Sequence, residues 1–210
     1  ICDVRVYNHV LSVKEIKELA KCKVLHYTFN QFQEPTTNYI NSVFNYKTSI
    51  VSGNMAITNE IYNGYDTLKV VVTGDSPYTK IGFTDYYYGL STYESISGSV
   101  FVESPDVTIT GIRNNYDICI YFTNEYFSGY GALWHSWGKI NNRIYAICTI
   151  PTGYDYSTIN TMLVIFFYKA GTYYIYKPQL EFKDHITPFV VGSRTGKVYD
   201  CSGYNNNADL

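Results

Sequence analysis

The chain has 210 residues, a mass of 24.1 kDa, a formal net charge of −2 and a pI near 6.1. It is long enough to bury a sizeable core without disulfide or metal staples, and its charge balance argues against a partner bound through a nucleic-acid phosphate backbone. Only 16% of the residues are charged while 24 are Tyr, 11 Phe and 2 Trp. These rings suit pleated strands and also give binding surfaces contact area at little cost in rotamer entropy; both uses stay open.

In chain order, Cys2–Tyr7 alternates apolar and polar positions as a half-buried strand does. A helix signal follows at Leu11–Ile16. Ser12 and Glu15 have capping-box spacing, and Leu11 and Ile16 have the spacing of a hydrophobic staple. Val13, Ile16, Leu19 and Ala20 then form an apolar stripe that needs a docking partner. From residue 28 onward the pattern is all-β. The expected strands are Leu68–Thr73, Ser95–Glu103, Val107–Ile112, Tyr116–Thr123, Arg143–Ile150, Thr161–Tyr168 and Thr172–Phe182. Turn chemistry separates them at Asn63-Gly64, Gly74–Pro77, Asn114-Asn115, Pro151–Gly153 and Ala170-Gly171. Tyr116, Ile118, Ile120 and Phe122 share one face of their strand, and the apolar run in Thr161–Tyr168 suits a strand buried on both sides. Several short strands with regular turns predict a sandwich or jelly roll.

The five cysteines, Cys2, Cys22, Cys119, Cys148 and Cys201, are scattered and show no C-x-x-C pair or Cys/His metal spacing. They are expected as reduced thiols, several of them buried. The sequence has no signal-peptide pattern and no apolar run long enough to cross a bilayer, so the expectation is a protein made in a reducing cytoplasm and not held by a membrane.

Several stretches carry family resemblances. DVRVYNHVLSVKEIKELA, with Asp3, Arg5, Tyr7, Leu11, Ser12, Glu15, Ile16 and Leu19, resembles the last strand and C-terminal helix of concanavalin-like (laminin-G-like) sandwiches. Lys197–Asn206 resembles the opening strand of the same family, with Asn207-Ala208 departing from its pattern. Between them, Glu34–Phe44, Thr92–Glu103, Trp137–Thr149 and Pro178–Phe182 followed by Thr187-Pro188-Phe189 resemble, in order, segments of galactose-binding-like carbohydrate-binding modules of families four and nine. Such modules occur in virion fibre proteins of tailed bacteriophages. The resemblance implies three parts: residues 1–27 as the end of a preceding sandwich, 28–190 as a jelly-roll module, and 191–210 as a linker and the first strand of a following sandwich. The competing arrangement has both tails packing on the central domain.

What the resemblance implies for function is recognition of host-surface polysaccharide by a virion fibre, in company with other virion proteins and as a homo-oligomer, a trimer. Sugars stack their C–H faces on flat rings while polar groups fix their hydroxyls. Asn124–Trp137 is the richest segment for this, with Tyr126, Phe127, Tyr130, Trp134 and Trp137; Tyr86, Tyr87 and Tyr88 form a second cluster. Three consecutive Tyr cannot all face a core. Trp134 and Trp137 are oddly spaced, so on a strand one of them faces inward. His135 is expected as a hydrogen-bonded loop residue, and Glu181 as pairing with a backbone amide or an ion. No cofactor is expected. A structural calcium, common in similar modules, has no clustered oxygen-ligand motif here. No phosphate-cradling loop, G-x-S-x-G elbow or H-E-x-x-H helix occurs, and no spacing singles out a carboxylate pair among Glu94, Glu103, Asp106, Glu125 and Asp155. The chain therefore reads as non-catalytic. The alternatives are an architectural spacer or decoration of the virion, and the binding domain of a polysaccharide-degrading enzyme.

Overall fold

Among the described residues, most stretches whose side chains alternate between two faces form strands. The computed structural model describes residues 10–14, 27–49, 55–74, 79–83, 95–112, 117–123, 135–149, 162–200 and 208–209. The strands among them begin with β1 (Tyr27–Gln33), β2 (Thr36–Thr37), β3 (Tyr46–Ser49), β4 (Met55–Tyr62), β5 (Tyr65–Val72) and β6 (Thr79–Phe83). Next come β7 (Ser95–Glu103), β8 (Ile118–Thr123), β9 (His135–Ile140), β10 (Arg143–Thr149), β11 (Met162–Phe167) and β12 (Gly171–Glu181). The last are β13 (Ser193–Arg194), β14 (Lys197–Asp200) and β15 (Ala208–Asp209). Val13 and Lys14 are helical; the rest of the expected N-terminal helix and the Cys2–Tyr7 strand lie outside the described residues.

The chain divides into two compact units, residues 38–192 and residues 1–37 with 193–210. In the second of these, β1, β14 and β15 form an antiparallel sheet and β2 pairs with β13. Thr37 and Ser193 hydroxyls meet at 3.0 Å, and Arg194 Nε donates to the Glu34 carbonyl at 3.1 Å. The two segments that flank residues 38–192 in sequence thus pair with each other.

Residues 38–192 form an all-β antiparallel sandwich. One sheet has six strands in the order β4-β5-β12-β7-β10-β9, and the other has four in the order β3-β6-β11-β8. Both contribute to one apolar core: Leu68, Val70, Ile96, Val100, Ile144 and Ile175 from the first, Ile81, Phe83, Ile120, Phe122, Leu163 and Ile165 from the second. Removing each such side chain from water contributes about 1.5–3 kcal/mol. Tyr173 crosses to meet Phe167 edge-on at 5.0 Å between ring centroids. Gly98 sets the close approach of the sheets, because a Cβ there would lie 2.4 Å from Leu163 Cδ1 and 2.9 Å from Phe122 Cε1.

Ile118, Ile120 and Phe122 are buried together, as their alternation predicts, and β11 lies inside its sheet between β6 and β8. Val107–Ile112 corrects an expectation, for it is irregular. Its polar backbone groups find side chains in place of a neighbouring strand: Asp117 accepts from the Thr110 amide, and Lys139 Nζ donates to the Ile109 carbonyl at 2.7 Å. His135 is a second correction, since it opens β9 opposite Cys148 and is not a loop residue. Cys119 and Cys148 are buried and unbridged; the other three cysteines lie outside the described residues.

Candidate functional site

Along β12 the alternation sends Tyr173 and Ile175 into the core and Tyr174 and Tyr176 to the opposite face of the six-stranded sheet. On that face the same rule places Ser97, Ser99, Phe101 and Glu103 of β7 and Arg143 of β10. The chain after β12 turns back and roofs one half of this face, leaving the aromatic half uncovered by that segment.

The roofed half is a buried polar network. Arg143 is 8% exposed and Glu181 1%. Arg143 Nε and Nη2 donate to Ser99 Oγ at 2.9 and 2.6 Å, and Nη1 donates to the Thr187 carbonyl at 2.6 Å. Thr187 returns its amide and hydroxyl to the two Glu181 oxygens at 3.2 and 2.6 Å. Gln179 donates to Thr187 Oγ1 at 3.1 Å and accepts from the Val190 amide at 3.1 Å. Ser97 Oγ donates to the His185 carbonyl at 2.8 Å. Burial pushes the Arg143 guanidinium down, and the Glu181 carboxylate opposes that shift. The Gln179-Leu180-Glu181 and Thr187-Pro188 pieces of the sequence pattern are therefore a latch that holds residues 183–192 to the sheet. Glu181 meets a backbone amide, one of the two partners expected for it.

Asn38 secures the other end of this strap. It is buried and donates from Nδ2 to the Pro178 and Val190 carbonyls, both at 3.0 Å, while Oδ1 accepts from the Ile40 and Leu180 amides at 3.0 and 3.1 Å. The first of those contacts lands on a β-bulge. Tyr176 pairs with Phe101 and Gln179 with Ser99, so β12 holds one residue more than β7 across this step. Pro178, which has no amide to give a ladder, is tolerated in such a bulge. Lys177 before it takes φ 51°, a left-handed conformation rare for a residue with a long side chain. The bulge turns Lys177 over three rings, with Nζ 3.5 Å from the Tyr65 centroid, 5.2 Å from Phe101 and 5.7 Å from Phe189.

Around Lys177 the rings of the uncovered half form a ladder. Tyr65 and Phe101 stack on Tyr176 at 5.6 and 5.5 Å, and Tyr62 stacks on Tyr174 at 4.2 Å. Glu103 joins the two stacks by accepting from Tyr62 at 3.1 Å and from Tyr176 at 2.6 Å. Its hydrogen bond, then burial, raises the Tyr62 phenol; burial, then the Glu103 hydrogen bond, raises that of Tyr176. Beside the ladder runs a groove of about 230 Å³. Ile40, Val43, Phe189 and Val191 give it an apolar wall, and Asn41, Ser42, Asp66 and Lys177 give it polar groups; Tyr65, 42% exposed, stands at its edge. Ser42 Oγ accepts from the Phe44 amide at 3.1 Å, which uses a lone pair and not its proton.

Of the site residues expected from sequence, Tyr86, Tyr87, Tyr88, Tyr126, Tyr130 and Trp134 lie outside the described residues. Trp137 is half-buried on the core side of β9. Its Nε1 donates to the Ile120 carbonyl at 2.7 Å and its ring meets Tyr121 edge-on at 5.4 Å, so it ties edge strand β9 to edge strand β8. Tyr65, Asp66 and Lys177, which line the groove, are not singled out by sequence reasoning, and Phe189 enters it only as part of the Thr187-Pro188-Phe189 exit and not as a site residue. The signal that points to them is Pro178 inside an otherwise continuous strand, which marks a bulge. Among the described residues, no three His, Cys, Asp or Glu side chains gather as they would around a metal ion. A comparison with protein-family models finds no match to this chain, and a comparison with curated proteins finds none either.

Proposed function

We propose that residues 38–192 are a non-catalytic carbohydrate-recognition module of the galactose-binding-like jelly-roll kind, carried by a phage virion fibre and directed at host-surface polysaccharide. The observation that carries this reading is the groove beside Tyr65 and Lys177. Its lining combines apolar side chains, an exposed ring and polar groups, the mixture a saccharide needs. Its volume, ≈ 230 Å³, is below the roughly 300–1,000 Å³ of sites that enclose drug-sized ligands, and it suits one ring of a longer chain. Weak binding per site then gains strength from repeated copies in a trimeric fibre. The phage setting rests on the sequence resemblance of the closing strand and its Thr187-Pro188-Phe189 exit.

Among the described residues, carboxylate placement supports a binding role over a hydrolytic one. Glycoside hydrolysis by acid and base needs two carboxyl groups across the scissile bond. Glu103 is held by two tyrosines, Glu181 lies under the strap, and Asp117 accepts from the Ile118 amide at 2.6 Å. Asp66 is the carboxylate among the described residues that line the groove.

Titration of the full chain with host capsular or cell-wall polysaccharide, followed by tyrosine fluorescence, tests the proposal. Binding should fall at least about tenfold in Tyr65→Ala, while circular dichroism shows the chain still folded and the melting temperature falls only by the lost stacking on Tyr176. The same loss is expected in Lys177→Asn, because Asn accepts the left-handed conformation but carries no ammonium. Failure of every surface polysaccharide to bind defeats the proposal. A second reading, an architectural spacer or decoration of the virion, draws on the face-to-face Tyr62–Tyr174 stack, whose ring area is spent within the sheet. Under that reading light scattering shows an assembly that Tyr65→Ala disrupts, and no glycan binds.

A further inference from the structure

Building on the saccharide reading, we infer that the groove selects a 2-acetamido sugar. The acetamido N–H donates to Asp66, its carbonyl accepts from Lys177, and its methyl rests on the wall of Ile40, Val43, Phe189 and Val191. A secondary amide makes three demands on a site: an acceptor, a donor, and an apolar surface for the methyl group. The groove supplies a carboxylate, which accepts, and an ammonium, which only donates. Phe189 and Val191, with the exposed edges of the core residues Ile40 and Val43, complete the set.

Other saccharide classes match this lining less well. A plain hexose can lay a C–H face on this wall, but it has no methyl group to fill it while also offering a donor to Asp66 and an acceptor to Lys177. A hexuronate brings a second carboxylate beside Asp66, and like charges in one cleft cost affinity. A sugar with a bare amine brings a second ammonium beside Lys177. The donor is also held in place before any ligand arrives. The bulge fixes the Lys177 backbone at φ 51°, and Tyr65, Phe101 and Phe189 surround its ammonium at 3.5, 5.2 and 5.7 Å. A donor ordered in advance loses little entropy on binding. Backbone strain of this kind concentrates where function needs a side chain aimed against local preference.

The test uses calorimetric titration of the full chain with a tetramer of N-acetylglucosamine, the same tetramer after removal of its acetyl groups, the glucose tetramer, and N-acetyl-alanine methylamide as a bare amide. The N-acetylated tetramer should bind at least about fivefold tighter than each of the others, the worth of about one hydrogen bond in a partly buried site. Asp66→Ala, at an exposed position, should erase that preference while the melting temperature holds. Equal binding of the glucose tetramer overturns the acetamido assignment and leaves the carbohydrate reading standing. Equal binding of the bare amide overturns it in favour of a peptide-like ligand. If host polysaccharide binds but none of these probes does, the acetamido assignment fails alone. If no polysaccharide binds either, both readings fail.

Discussion

Replacing Thr187 by Val keeps a β-branched side chain of similar shape and deletes one hydroxyl from the latch between the strap and the sheet. That hydroxyl donates to Glu181 Oε1 at 2.6 Å and accepts from Gln179 Nε2 at 3.1 Å. Thr187, Gln179 and Glu181 are each no more than 1% exposed, so water cannot take over either contact. A hydrogen bond to a charged group contributes about 1.5–3 kcal/mol, and a buried donor left alone costs about 1–3 kcal/mol. The Thr187 amide still reaches Glu181 Oε2 at 3.2 Å, which limits the damage. The expected loss is about 2–4 kcal/mol, a large share of the roughly 5–15 kcal/mol that holds a typical domain folded. Urea unfolding should show a lower midpoint with an unchanged slope. Thr58→Val, at an exposed position on β4, should stay within about 0.5 kcal/mol. Hydrogen exchange should accelerate at the Val190 amide, whose acceptor is Gln179 Oε1. A Thr187→Val loss no larger than that of Thr58→Val refutes the latch.

Gly98→Ala should cost about 1–3 kcal/mol by forcing a methyl group against Leu163 and Phe122, and Leu163→Val should recover part of it by removing the clashing carbon. The Tyr62 and Tyr176 phenols are raised above their ordinary value of 10.0, so the folded chain keeps these protons after the unfolded chain has released them. Their contribution is complete below pH 10.0 and is lost as pH climbs through the raised values, and Tyr176→Phe should flatten that alkaline fall in melting temperature. Burial pushes the Cys148 thiol up to about 12 from 9.0. A disulfide-exchange reagent at neutral pH should therefore label Cys148 only on unfolding, and rapid labelling of Cys148 itself in the folded chain, located by peptide mass spectrometry, contradicts its placement.

The strands that were legible in sequence are those whose pattern is local. Ser95–Glu103 is read at its observed bounds because alternate residues meet core and outer face along its whole length. The Asn63-Gly64 turn is read correctly because both residues adopt the positive φ, 51° and 80°, that a two-residue hairpin needs. Val107–Ile112 alternates just as well, yet Gly111 at φ 71° and the Asp117 and Lys139 side chains consume the backbone groups a ladder requires. β9 hid inside a stretch rich in rings and glycines that reads as a binding loop; the two residues between Ile140 and Arg143 are the hairpin signal that marks it.

The groove was illegible for a different reason. Its residues come from positions 38, 40–43, 65–66, 177–178, 189 and 191, and no short window contains them. Lys177 enters it only because β12 carries one residue more than β7, a property of strand register and not of either strand alone. Tyr65 is an isolated ring in sequence, apart from the conspicuous tyrosine and tryptophan clusters, and gains its setting from Tyr176 and Lys177 only in the fold. Glu181 is the opposite case. Its strand is evident in sequence, and its buried partners Thr187 and Arg143 become visible only once the strap has folded back.

On the proposed function, a saccharide binds in the groove between Tyr65 and Lys177. Chemical-shift mapping of the full chain during titration with host-surface oligosaccharide tests it most directly. Saturable shifts are expected at Tyr65, Asp66, Lys177, Phe189 and their neighbours in residues 40–43, and nowhere else. Saturable shifts that fall elsewhere and leave these residues still, or no shifts at any concentration, contradict it.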